Sequence, residues 1–186
     1  MIVDAWNDMA GDPLVEGYSI REIGIPSPNE ESISKCRELC GQNLCGTFNA
    51  NWGCPPGVGT ERECLGIVGK YSKAILLKKR FENIDFNDRS LIADIANGHQ
   101  EVCRRFGNIL RGKGYDTLPL ADGGCTHCKS CSYPDAPCGF PDQRVTSVSC
   151  YGILMEDYMR SQGVDFSFEG NAMTMYGIML YNDVEG

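Results

Sequence analysis

Four cysteines fall within the nineteen residues GGCTHCKSCSYPDAPCGFP, positions 123–141, and five more are spread over positions 36–64. Thiols crowded at such spacings act as disulfide partners, as zinc ligands or as ligands of an iron–sulfur cluster. The chain has eleven cysteines in 186 residues, an odd number, so complete pairing is excluded. A chain of this length also buries enough apolar surface to fold without a disulfide framework. Metal ligation is the chemistry these residues suit best.

The later group reads Cys125-x2-Cys128-x2-Cys131-x6-Cys138. Gaps of two residues let successive thiolates curl around a compact inorganic core, and the bacterial ferredoxin run opens in the same way. Structural zinc more often takes two separated Cys-x2–4-Cys pairs. The spacing points to an iron–sulfur cluster, with zinc as the rival. Gly123 and Gly124 allow a tight turn into the site, and Pro134 and Pro137 stiffen the return.

The earlier group is looser, and Cys36, Cys40, Cys45, Cys54 and Cys64 offer five thiols for a four-thiolate site. Cys54 precedes Pro55-Pro56, which hold the departing chain extended. Cys64 falls about four residues into a helix announced by the capping-box pattern Thr60-Glu61-Arg62-Glu63. Free N–H groups and the helix dipole favour a thiolate there. Cys40, Cys45, Cys54 and Cys64 are the expected ligands, with Cys36 the competing fourth.

Together, CRELCGQNLCGTFNANWGCPPGVGTEREC (36–64), GGCTHCKSCSYPDAPCGFP and the closing MTMYGIMLY resemble an uncharacterised family of cysteine-rich predicted metal-binding proteins. This domain of unknown function occurs mainly in anaerobic bacteria and archaea. The resemblance runs from about Cys36 to Tyr181. It implies a ligand set of Cys40, Cys45, Cys54, Cys64, Cys125, Cys128, Cys131 and Cys138, without Cys36, and it implies no particular reaction. The chain departs from the family pattern at Gly139, where an arginine is usual. It departs again at Ser147-Val148-Ser149, where Ser-Met-Glu is favoured.

Other candidates have plainer readings. Cys103 borders an apolar helical stripe and reads as a packing thiol. Cys150 stands early in the segment after the second loop, where a labile thiol is conceivable beside a core role. Trp52 reads as a water shield for the first site, His127 as a solvent-facing or outer neighbour of the second, and His99 as a residue beside the stripe.

The elements that must hold these loops are of mixed type. Strand character runs over Tyr18–Ile25, Ala74–Leu77 and Met173–Tyr181. The last two are apolar on both faces, as central strands are. Shorter strands are expected at Thr117–Leu120 and Asp165–Phe168. A helix is expected from Asn87 or Asp88 to Arg111, with Leu91, Ile95, Val102, Phe106 and Leu110 on its stripe. A second is expected from Thr146 or Ser147 to Gly163, and a third after Thr60. Regular βαβ alternation is absent. The expected fold class is α+β, one domain over residues 1–186, with a modest mixed or antiparallel sheet, packed helices and metal-binding segments at about 36–64 and 123–141.

Net charge is −8, from 17 basic and 25 acidic side chains, and no basic run exceeds Lys78-Lys79-Arg80. Such a surface lacks the positive stripe of a nucleic-acid partner. The opening residues lack a basic region followed by an apolar core, and no run approaches the length of a membrane span, so a soluble, cytoplasmic protein is expected. Phosphate-binding glycine motifs and His-Glu-x-x-His are missing. The leading functional reading is a protein with two [4Fe-4S]-type clusters that serves electron transfer, docking its acidic surface on a redox partner protein. The alternatives are an enzyme with one cluster as its active site, using Cys36 or Cys150, and a zinc-stabilised interaction module.

Overall fold

The computed structural model describes residues 2–167 and 170–183. Its helices are α1 (Ile2–Asn7), α2 (Glu30–Gly41), α3 (Glu61–Val68), α4 (Arg89–Gly112) and α5 (Met155–Ser161). Its strands are β1 (Ser19–Ile23), β2 (Lys73–Phe81), β3 (Asp116–Ala121), β4 (Thr146–Ser147) and β5 (Met173–Asn182). They form one five-stranded sheet in the order β1-β2-β5-β3-β4. The sheet is mixed: β3 and β4 run parallel, and every other pairing is antiparallel. The α+β class is thus observed.

Strand alternation explains why β2 and β5 lie in the middle. Ala74, Leu76, Ile178 and Leu180 point to one face, where Ile33 of α2, Val68 of α3, Met159 of α5 and the Val148–Tyr151 turn pack. Ile75, Leu77, Met179 and Tyr181 point to the other, against Val102, Phe106 and Leu110 of α4 and Ala5 of α1. A strand apolar on both sides needs cover on both sides, and the helices supply it. Helix α4 starts where its sequence says it should: Asp88 caps it by accepting from the Leu91 N–H at 3.0 Å. At α3 the Thr60–Glu63 capping box is formed.

Two expectations need correction. The helix expected from Thr146 to Gly163 is divided: Thr146 and Ser147 pair with Leu120 and Ala121 as β4, and Val148–Tyr151 is a 3-10 turn. Gly152 then takes a φ of 73° before α5 begins, a left-handed conformation that ends a helix. Residues 165–167 of the strand expected at Asp165–Phe168 are irregular, and Phe168 lies outside the described residues. Helix α2 is an addition, and it carries Cys36 and Cys40. Among the described residues no helix is long and apolar enough to cross a membrane.

Candidate metal centres

The first cysteine group is assembled from a helix and a loop. Cys36 and Cys40 are four residues apart on α2, so both project from one face. Cys45 and Cys54 come from the loop that follows, and Thr47 joins them: its Oγ1 lies 3.0 Å from Cys45 Sγ and 3.3 Å from Cys54 Sγ. Cys40 Sγ lies 3.5 Å from Ser149 Oγ, which in turn bonds Ser147 Oγ at 2.8 Å. These four cysteines line one cavity of about 350 Å³ together with Leu39, Phe48, Asp122 and Met155.

Cys64 does not line that cavity. It is fully buried in the core on the α3 side of the sheet, and its sulfur accepts from Arg37 Nη2 at 3.2 Å. The fourth place in the cavity wall is filled by Cys36, the thiol that spacing left as the competitor. Burial pushes the Cys36 thiol up to about 11, and the neighbouring Cys40 adds to the effect. Burial also raises Cys64, with Arg37 opposing. Cys54 moves the other way, down to about 7, chiefly because the Cys150 thiol hydrogen-bonds to it. Cys150 is itself buried, and its Sγ donates to Gly53 O at 3.4 Å.

The second group is brought together whole. Cys125, Cys128, Cys131 and Cys138 line a small cavity of about 20 Å³ with Trp52, His127, Phe140 and Arg144. Cys128 is at the surface. Its thiol is raised by partial desolvation first, then by the charges of Cys125, Cys138 and Cys131. A cation among the four sulfurs would relieve that opposition to the Cys128 thiolate. Trp52 therefore covers the second site and not the first: its Nε1 donates to Ala136 O at 3.0 Å, and its ring stands edge-on to Tyr133 at 4.9 Å. His127 is edge-on to Phe140 at 5.1 Å on the rim.

The two sites share a wall. A Cβ on Gly53 would lie 2.8 Å from Cys125 Cβ, and one on Gly124 would lie 3.0 Å from Cys54 Sγ and 2.5 Å from Asn51 Nδ2. Each loop thus presses a glycine against a cysteine of the other, at a separation that no larger residue permits. Arg144 Nη1 donates to Trp52 O at 3.2 Å and Tyr133 Oη to Asn49 Oδ1 at 2.8 Å, which fastens the loops on either side.

Zinc needs four sulfurs each ~2.3 Å from one point. Among the described residues no three cysteine, histidine or acidic side chains converge that tightly on a single ion. The donors surround space instead, broadly at the first site, and at the second they stand around a narrower cavity. The donor chemistry, all thiol with hydroxyl neighbours at the first site, fits a thiophilic metal or cluster.

The model of one protein family, described as "Predicted metal-binding protein (DUF2284)", matches residues 30–181. The chain belongs to this family. No curated protein and no solved structure matches it. The span covers every element from α2 to the penultimate residue of β5, and with them both cysteine groups and four of the five strands; β1 precedes it. Three thiols lie outside the two cavities, Cys64, Cys103 and Cys150. Cys103 is wholly buried, 3.8 Å from His99 Nε2. Burial raises Cys103 to about 12 and lowers His99 to about 4, the reverse of what a nucleophile and its base require. His99 is a core residue that bonds Tyr18 Oη at 2.9 Å. The charged residue that sequence reading passed over is Arg37, whose neighbourhood only the docking of α2 reveals.

Proposed function

We propose that this metal-binding chain carries two iron–sulfur centres of the [4Fe-4S] type and relays electrons between them. The first is held by Cys36, Cys40, Cys45 and Cys54, the second by Cys125, Cys128, Cys131 and Cys138. One observation carries the reading: the two cysteine loops are packed back to back, through Gly53 on Cys125 and Gly124 on Cys54. Centres built on such a shared wall are neighbours, which a pair of independent structural metal sites has no need to be. Iron–sulfur clusters supply one-electron chemistry at potentials that the protein adjusts through charge, hydrogen bonds and exposure. The residues of this chain do the adjusting: Thr47 and Ser149 meet the sulfurs of the first site, and Trp52 and Phe140 cover the second. The exposed Cys128 and Cys45 offer the points where a redox partner protein comes close.

The room at the first site supports a second reading, an enzyme with that centre as its active site. Its cavity of about 350 Å³ extends from the cysteines to the apolar side chains of Leu39, Phe48 and Met155.

Purification without oxygen, with iron, acid-labile sulfide and zinc quantified and the visible spectrum recorded before and after dithionite, tests the proposal. Two four-iron centres give about eight irons and eight sulfides per chain and a broad absorbance that bleaches. Stoichiometric zinc in a colourless protein would leave a structural module instead.

A further inference from the structure

Thr47 lines the first cavity, and its hydroxyl meets two of the four sulfurs there. Its Oγ1 lies 3.0 Å from Cys45 Sγ and 3.3 Å from Cys54 Sγ. The backbone around it is tied down. Phe48 N–H donates to Asn43 Oδ1 at 3.0 Å, Ala50 N–H to Thr47 O at 3.3 Å and Asn49 N–H to Pro55 O at 2.8 Å. The second loop closes on it from the other side, where a Cβ on Gly124 would lie 3.1 Å from Thr47 Cβ. These contacts fix where the hydroxyl stands, and the state of the cysteines decides which way it points. A thiol can donate to Oγ1, but a metal-bound cysteine is a thiolate and only accepts. With both cysteines ligating, the single O–H of Thr47 has to be the donor, and Cys45 Sγ is the nearer acceptor. Among the described residues no hydrogen bond joins Thr47 to a cysteine of the second group.

We propose that the Thr47 hydroxyl, donating to the sulfurs of Cys45 and Cys54, raises the first centre's affinity for an electron. The inference rests on the redox reading above and deepens it. A reductant of the viologen class, as its radical cation, gives one electron to the first centre and becomes the dication. No bond to Thr47 forms or breaks, and its proton stays on Oγ1. Added electron density falls partly on the ligand sulfurs, where a hydrogen bond already aimed at them stabilises it, and hydrogen bonds to sulfur are among the means by which a protein sets such potentials. Thr47 acts through the ligands; it is a positioning residue and not a ligand itself.

The test is an anaerobic potentiometric titration of the full-length protein with viologen mediators, following each centre by low-temperature electron paramagnetic resonance. Signals are assigned to the two centres with Cys45→Ser and Cys138→Ser. In Thr47→Val, which keeps the branched shape and loses the hydroxyl, the first centre's electron affinity falls at least tenfold, ~59 mV for a one-electron couple, and the second centre is unchanged. In Thr47→Ser, which keeps the O–H, the first centre stays close to its native potential. A native first-centre potential in Thr47→Val overturns the proposal. An equal fall in Thr47→Ser overturns it too, since the effect would then follow shape and not the hydroxyl. If Thr47→Val does not hold its first centre, Thr47→Ala takes its place, and a native potential there overturns the proposal. Loss of the centre from both also overturns it, because the residue would then serve assembly and not electron affinity. A native protein with zinc and no reducible centre overturns the redox reading and this inference together, whereas two reducible centres indifferent to the hydroxyl at residue 47 overturn the inference alone.

Discussion

Cys36 and Cys64 compete for one role, and the side chains around them separate the two. Cys36 opens on the cavity that Cys40, Cys45 and Cys54 also line, whereas Cys64 is enclosed by apolar neighbours and Arg37. Replacing a ligand loses metal, and replacing an enclosed thiol loses packing. Cys36→Ser is therefore expected to lose the iron of the first centre, about half the total, while Cys64→Ser keeps it and unfolds more readily by about 1–2 kcal/mol. Iron per chain and a urea titration read the two effects. Iron lost from Cys64→Ser and kept in Cys36→Ser would return Cys64 to the ligand set. That Cys125, Cys128, Cys131 and Cys138 line one cavity was legible from spacing, because the gaps between the first three are short and local. Choosing a fourth thiol for the first set needs the docking of α2 against the Val148–Tyr151 turn, and no spacing within residues 36–64 encodes that contact.

Helix α4 works as a clamp on the second loop. Gln100 Nε2 donates to Asp122 O at 3.2 Å, just before the loop, and Arg104 Nε donates to Gln143 O at 2.8 Å, just after it. Further along, Asn108 Nδ2 bonds Gln143 Oε1 at 2.8 Å and Arg111 Nη2 bonds Asp142 O at 2.6 Å. One helix face thus fixes both ends of the cysteine-bearing segment. Arg104 is 4 % exposed, so Arg104→Ala removes a buried charge-assisted bond worth roughly 2 kcal/mol and frees one end of the loop. The second centre should then release its metal faster to a chelator than the first, with α4 still helical by circular dichroism; equal release from both would argue against the clamp. Sequence reading located α4, α3, β2 and β5 because capping residues and apolar periodicity agree there. It passed over α2 because Ile33 and Cys36 are its only buried residues, too few to print a stripe. It overextended the helix near Thr146 because Val148, Tyr151, Leu154, Met155 and Tyr158 mimic helical spacing across Gly152, whose left-handed backbone breaks the run.

Across the whole molecule, the apolar core and the metal loops occupy different places. Ile75, Leu77, Ile178, Met179 and Leu180 are fully buried between helices on both faces of the sheet. The cysteine loops lie beside this core and have almost no regular structure of their own. A core of this size is expected to fold without metal, unlike zinc fingers, which are unfolded without it. Chelation is therefore expected to leave the far-ultraviolet circular dichroism largely intact while opening residues 42–60 and 122–145 to limited proteolysis. Complete loss of the circular dichroism signal on chelation would show that the centres found the fold instead of furnishing it.

Gly53 and Gly124 also decide how far either loop can travel. Each occupies space that a single methyl group would overfill, so the loops meet as fitted halves of one object. Residues 123–141, transplanted alone into a foreign scaffold, would carry four cysteines but leave behind Trp52, Asn51 and the backbone wall that gives them their shape. The cysteine motif resembles a portable cassette, yet half of its mould is supplied by a stretch some seventy residues earlier in the chain. Any successful graft has to move both.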